Sequence, residues 1–379
     1  MKLFECQFCG QPLHFENTHC ESCGHQLGFS PPIQNLSAVE WIGEAWTALA
    51  DPSRSFRFCA NAEHDVCNWL IPADNPDRFC VACRHNRVIP NLSQAQNVER
   101  WRRLEAAKHR LFYTLLKLDL PLASRMDDPK GLAFDFLSDP AEGTPHEPTV
   151  LTGHDNGLIT INLAEADDAE RERRRHAMGE PYRTLLGHFR HEVGHYYWDV
   201  LIGSDPSLAR FRGLFGDERQ DYSAALQTHY DNGPPEDWRD RFVSAYASAH
   251  PWEDWAETWA HYLHMVDTLE TANAFGLSVR PRMTRGPELS TAIDFDPHDV
   301  GDLNRLIAVW VPLTFAVNSL NRSMGQPDLY PFVLAPMVIG KLAFVHERIY
   351  AATGRDLKEG EADLLKAVAA GLRNRTAHR

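Results

Sequence analysis

Beyond Cys83 the chain contains no cysteine; all eight of its cysteines lie within the first 83 of its 379 residues. Disulfides binding distant parts of the molecule are thereby excluded. CxxC pairs without a secretion signal point instead to metal thiolates in a reducing compartment. Long apolar runs are also missing. The longest, Leu306 to Val317 and Pro331 to Gly340, reach about a dozen residues against the ~20 that span a bilayer, and Pro312, Pro331 and Pro336 interrupt them. The opening MKLFECQFCG has no apolar stretch of signal-peptide length. A cytoplasmic location and no membrane partner are expected. Positive charge is scarce: 38 Lys and Arg face 52 Asp and Glu, for a net charge of −14. That balance repels a phosphate backbone and argues against a nucleic-acid partner. The mixed run Glu165 to Glu180 sets Arg171, Arg173, Arg174 and Arg175 among acids, which reads as a solvated helix face.

What is present is ordinary globular composition, 43% hydrophobic and 24% charged, in a chain long enough for more than one domain. Cys6-x2-Cys9 is followed after ten residues by Cys20-x2-Cys23. Each pair forms a turn aiming two sulfurs at one ion, and four thiolates close the tetrahedron with no position left for chemistry. Gly10 and Gly24 follow the second cysteine of each pair, where such turns need positive φ. The cluster resembles a zinc ribbon of the rubredoxin-like kind, its ion replacing a core too small to fold alone. A second, less regular cluster is Cys59, Cys67, Cys80 and Cys83. His64 or His85 could replace one thiolate, but four cysteines make the simpler site. Between the clusters Pro31-Pro32 breaks the chain, and Val39 to Leu49 has the apolar spacing of a short connector helix. The expected modules are a ribbon over 1–30, a second zinc module with connector helix over 31–95, and a domain over 96–379. That domain opens with a helix from Gln96 to Leu118, with Trp101, Leu104, Leu111, Phe112 and Leu115 on one side.

Leu185, Leu186, Phe189, Val193, Tyr197, Val200 and Leu201 recur at helical intervals between Thr184 and Ile202. Within that stretch stands His191-Glu192-Val193-Gly194-His195. Residues i and i+4 of a helix share a face, so the two histidines can aim at one ion, with Glu192 beside the metal-activated water. Alone the string is weak, since chance supplies it in roughly one such sequence in fifteen. A second helix gives it context. Trp255, Trp259, Tyr262, Leu263 and Val266 form a buried stripe, while Glu253, Glu257, His261 and His264 form an ionisable one. Pro251 and the acids after it suit a helix start. A zinc with two histidines and one carboxylate keeps a position open for water. Glu253 and Glu257 are the candidates, one as ligand and the other as acceptor for an outer imidazole N–H. His250, His261 and His264 are weaker ligands.

HExxH followed downstream by Glu253-Asp254-Trp255-Ala256-Glu257-Thr258-Trp259-Ala260 resembles the gluzincin peptidases, and most closely their lethal-factor-like and Pro-Pro-endopeptidase-like branch. There a Glu-x-x-Ala-Glu string carries the ligand first and a supporting glutamate four residues later, so the resemblance implies Glu253 as ligand and Glu257 as support. It also implies a catalytic tyrosine seven residues before the ligand, and Tyr246 stands there. This likeness covers Leu185 to Leu263. Tryptophans stand where the branch has phenylalanines, and the ligand lies farther downstream than in thermolysin. As a whole the chain is similar to a bacterial family described as zinc-binding metallopeptidases. The implied fold is α+β, a mostly helical zincin-like domain behind small zinc-ribbon modules.

One catalytic and two structural Zn2+ ions follow, with a peptide or protein as substrate and the ribbons as a surface for a protein partner. Glu192 would act as general base and Tyr246 as oxyanion donor. By resemblance to zincins, the alternating run Gly157 to Leu163 would be the edge strand that pairs with substrate. Gly216 to Tyr222 should start a helix capped by Asp217, and Leu303 to Leu320 and Met337 to Tyr350 should be helices packed behind the site. Two rivals remain: a ribbon-based binding module with an inert HExxH site, and hydrolysis of a nonpeptide amide.

Overall fold

The structure, a computed structural model, describes residues 2–139, 150–178, 184–203, 206–282 and 289–357. It comprises two compact units, Met1–Arg174 and Arg175–Arg379, and the fold is mixed α/β.

The first unit opens with a two-stranded ribbon, β1 (Phe4–Glu5) and β2 (Pro12–Leu13). Five antiparallel strands follow in chain order: β3 (Gln26–Ser30), β4 (Asn35–Ile42), β5 (Ala45–Ala48), β6 (Asp51–Phe58) and β7 (Leu70–Pro72). The expected connector helix over Val39 to Leu49 is therefore wrong. Ile42 pairs with Ala45 across Gly43-Glu44, and Gly43 has φ 65°, so a two-residue hairpin turn sits in the middle of it. Trp41 and Trp46 pair across the strands with ring centroids 5.4 Å apart, while Val39, Ala48, Phe56 and Leu70 pack inside. The Phe29 amide donates to Asn68 O at 2.8 Å, bringing the first strand against the last.

After β8 (Asn86–Val88) comes α1 (Ala95–Lys117), whose expected apolar face is buried: Trp101, Leu104, Leu111, Phe112 and Leu115. β9 (Ala133–Leu137), β10 (Gly153–Asp155) and β11 (Leu158–Asn162) join β8 in a sheet of order β10-β11-β9-β8. This corrects the edge-strand expectation. β11 is parallel to β9 and antiparallel to β10, so its backbone is engaged on both sides and has no free row to offer a substrate. The mixed-charge run forms α2 (Asp168–Met178), where Arg171 pairs with Asp168 and Arg173 with Glu170. The side chains of Arg174 and Arg175 lie outside the described residues.

The second unit is helical: α3 (Leu185–Leu201), α4 (Leu208–Phe215), α5 (Tyr222–Asn232), α6 (Trp238–Arg241) and α7 (Pro251–Ala274). A short pair, β12 (Ser278–Val279) and β13 (Thr291–Ala292), precedes α8 (Leu303–Ser323) and α9 (Pro336–Thr353). The stripe Trp255, Trp259, Tyr262, Leu263 and Val266 is fully buried. On α3 the expected face holds for Phe189, Val193, Tyr197 and Leu201, whereas Val200 is exposed. Asp217 is not a helix cap, a third correction. The cap of α5 is Asp221, which accepts from the Ala224 amide at 2.9 Å, while Asp217 holds the Arg219 guanidinium. Helix α8 runs unbroken through Pro312 for 21 residues, long and apolar enough by length and composition to cross a membrane. Its Leu306, Val309, Trp310 and Leu313 are nevertheless buried within the unit.

Candidate metal centres

In the first unit the sulfurs of Cys6 and Cys23 lie 3.7 Å apart and those of Cys9 and Cys20 3.6 Å apart. A disulfide needs about 2.05 Å. Around an ion ~2.3 Å from each sulfur, tetrahedral edges are about 3.8 Å. The spacing fits zinc. Both knuckles close as expected: the Gly10 amide donates to Cys6 O and the Gly24 amide to Cys20 O, each at 2.8 Å, with φ of 75° and 77°.

The second cluster is deeper, with Cys59, Cys67, Cys80 and Cys83 all buried and Cys67 Sγ 3.8 Å from Cys80 Sγ. Amides of Trp69, Cys80 and Cys83 point at the sulfurs of Cys67, Cys59 and Cys80 at 3.3–3.4 Å, the pattern that stabilises thiolates. Contacts with Cys67, Cys80 and Cys83 drive the Cys59 thiol far below its ordinary range, while burial pushes Cys67 and Cys83 well above theirs. Four such thiols cannot all ionise together unless a cation sits between them. His64 and His85 do not substitute. The His64 ring faces Trp101, and His85 Nδ1 lies 2.8 Å from Val81 O, with burial holding its pKa down to about 4. The imidazole that does approach is His109 on α1, its Nε2 3.5 Å from Cys67 Sγ and 3.6 Å from Cys83 Sγ. Sequence reading passed over it, because a helix core position far downstream carries no spacing signal.

In the second unit α3 starts at Thr184, whose hydroxyl accepts from the Gly187 amide at 3.0 Å. Helix α7 starts at His250, whose Nδ1 accepts from the Trp252 amide at 3.1 Å, with Pro251 in the first turn. His250 is thus a cap. The helices pack closely because residue 194 is glycine. A Cβ there would lie 3.0 Å from the Ala256 Cα and 3.2 Å from Trp259 Cδ1, and the Trp255 indole donates to Gly194 O at 2.8 Å.

This approach brings His191 and His195 of α3 to Glu253 of α7. One atom from each lies within 4.8 Å of the other two. His191 Nε2 is 3.0 Å from Glu253 Oε2 and 3.3 Å from His195 Nε2, and His195 Nε2 is 3.6 Å from Glu253 Oε1. Glu257 Oε1 lies 2.8 Å from His191 Nδ1, and its Oε2 accepts from the Ser244 hydroxyl at 2.6 Å. The Nδ1 proton is thereby committed to Glu257, which turns the Nε2 lone pair of a neutral His191 toward Glu253. Glu253 Oε2 is buried and without a hydrogen bond. Two imidazole nitrogens and a carboxylate converging at this spacing are a donor set that fits a divalent cation. Without one, His191 is held charged: burial disfavours the cation, but Glu253 and Glu257 raise its pKa well above the usual value. Burial favours the neutral form of Glu253, yet His195, His191 and the Tyr222 hydroxyl bring its pKa down to about 2.

Glu192, next in sequence to His191, is buried, with His188 Nε2 3.3 Å from its Oε1. Burial raises its carboxyl, and His188 and His191 bring it below the ordinary range. The Tyr246 ring lies 6.0 Å from that of His191. Burial, then the charge of Glu253, hold its hydroxyl well above the usual phenol range, so it remains a donor. His261 and His264 lie farther along α7. His261 Nδ1 is 2.8 Å from the Tyr330 hydroxyl, and His264 meets Arg190, which also pairs with Asp267. Neither reaches the centre. Three contacts escaped sequence reading: Tyr222 donates to Glu253 Oε1 at 2.7 Å, Ser244 holds Glu257, and His188 pairs with Glu192. Only His188, four residues before Glu192, carries a helical-spacing signal.

Residues 97–348 match a family described as "Putative zinc-binding metallo-peptidase". The chain belongs to that family. Residues 3–94 match a zinc-ribbon domain. An uncharacterized protein of Mycobacterium bovis and another of Mycobacterium tuberculosis are each 45% identical over 348 residues, covering 91% of this chain and 94% of theirs. No solved structure matches. Zinc binding rests on the family together with the two four-cysteine clusters.

Proposed function

We propose that this family member is a zinc-dependent peptidase whose ion is held by His191, His195 and Glu253, the order of ligand and supporting glutamate being that of the gluzincins. The observation that carries the reading is the convergence of His191, His195 and Glu253, one ligand atom from each within 4.8 Å of the other two, next to the buried carboxylate of Glu192. Zinc bound there supplies Lewis acidity and makes water nucleophilic near neutral pH. Glu192, ionised and buried, takes the proton of the attacking water and passes it to the leaving amine. Glu257, steadied by Ser244, keeps the His191 tautomer that presents Nε2. Tyr246, protonated at any working pH, donates to the oxyanion formed at the peptide carbonyl, a contribution of about 3 kcal/mol in comparable sites. The zincin-like domain spans residues 96–379, and its place is the cytoplasm.

Two measurements test this. Wild-type protein should hold three zinc ions per chain and His191→Ala two. Glu192→Gln should keep all three and lose peptide cleavage by ~100-fold or more. Undiminished turnover in that variant would sink the mechanism.

A further inference from the structure

Helix α5 raises a question of placement. None of its eleven residues is buried, so it lacks the apolar face that normally fixes a surface helix. It is flanked by Gly216 at φ 107° and Gly233 at φ 74°, backbone states that favour glycine. Yet its first residue enters the metal centre. The Tyr222 hydroxyl donates to Glu253 Oε1 at 2.7 Å, and its ring stands 5.2 Å from His250 and 6.3 Å from Trp252. The two oxygens of Glu253 are thus treated differently: Oε1 accepts from Tyr222 and lies 3.6 Å from His195 Nε2, while the buried Oε2 lies 3.0 Å from His191 Nε2.

We propose that Tyr222 is a positioning residue for the metal: its hydroxyl fixes the rotation in which the Glu253 carboxylate faces the ion, and the same bond ties α5 to the centre. The inference rests on the ligand set proposed above. A glutamate carboxyl turns broadly about its last torsion, and a hydrogen bond to one oxygen removes that freedom before the ion arrives. Partners of this kind are worth 10- to 100-fold in metal affinity. The Tyr246 ring lies 6.0 Å from that of His191, whereas the Tyr222 hydroxyl bonds the proposed ligand Glu253 itself.

The test uses the full-length protein, zinc and a competing chelator. In Tyr222→Phe, which keeps the ring and its contacts, the weakest-held zinc should dissociate at about ten-fold lower chelator concentration, with the two cysteine-held ions unchanged. Hydrogen exchange should speed up over residues 222–232 while α3 and α7 keep their protection. Tyr222→Ala should lose no more zinc affinity than Tyr222→Phe, because the hydroxyl carries the effect. A Phe variant that binds all three ions as wild type does, or an affinity loss confined to the Ala variant, overturns the proposal. A wild type holding only two ions, with His191→Ala unchanged at two, overturns instead the ligand set on which it rests.

Discussion

The cysteine centres of the first unit and the histidine–glutamate centre of the second differ in what surrounds their ligand atoms. At Cys59, Cys67, Cys80 and Cys83 four buried sulfurs enclose the site and backbone amides point inward. At the other centre three ligand atoms come from two helices, and the side chains of His191 and His195 keep 11% and 12% of their exposure. A closed tetrahedron spends its whole coordination sphere on folding, while an open one leaves a position for a reactant. Ligand count and access, more than the identity of the ion, separate structure from chemistry.

The largest expected effect breaks the closed side. Cys67→Ser should remove one zinc and melt the first unit, since structural zinc carries ~10 kcal/mol or more of folding free energy in small domains. Metal analysis and circular dichroism check this; a variant with two remaining ions and an unchanged melting temperature would make that centre dispensable. An intermediate effect concerns acid. Burial depresses His261 to about 4, below its unfolded value of roughly 6.5. The folded state therefore resists protonation, and the stability present above pH 6.5 falls as the pH drops from 6.5 toward 4, by up to about 3 kcal/mol. Denaturant titrations at pH 7 and pH 4.5 should show the fall, and His261→Gln should reduce it by up to about 3 kcal/mol while the share from the other buried, depressed histidines, His85 and His346 among them, remains. The smallest effect sharpens the open side. Gly194→Ala pushes a methyl to 3.0 Å from the Ala256 Cα, and the overpacking should cost about 1–3 kcal/mol. The variant should melt lower and hold its third zinc less tightly while the cysteine sites stay filled. Equal loss from all three sites would mean that the units do not report separately.

Residues in long periodic stretches were legible without the structure. Helices α1, α3 and α7 follow their apolar stripes, and Thr184 and Pro251 mark two of their starts. Val39 to Leu49 was misread because alternating and helical apolar spacing overlap in so short a run; only pairing across Gly43-Glu44 resolves it. Asp217 was read as the cap, but its carboxylate is held by Arg219 and the helix starts four residues later, where Asp221 accepts from the Ala224 amide. Tyr222, Ser244 and His109 had no chance of detection, since each acts on a partner that the fold alone brings near.

By itself the sequence determined where thiolates, imidazoles and carboxylates stand along the chain. It also determined which of them share a helix face, because a 3.6-residue period is local. Tertiary structure alone decided that α3 and α7 meet closely enough at Gly194 for His191 and His195 to face Glu253. It also gave one oxygen of that glutamate to Tyr222. Such decisions depend on packing between segments distant in sequence, where a few tenths of an ångström separate a metal site from three unrelated side chains.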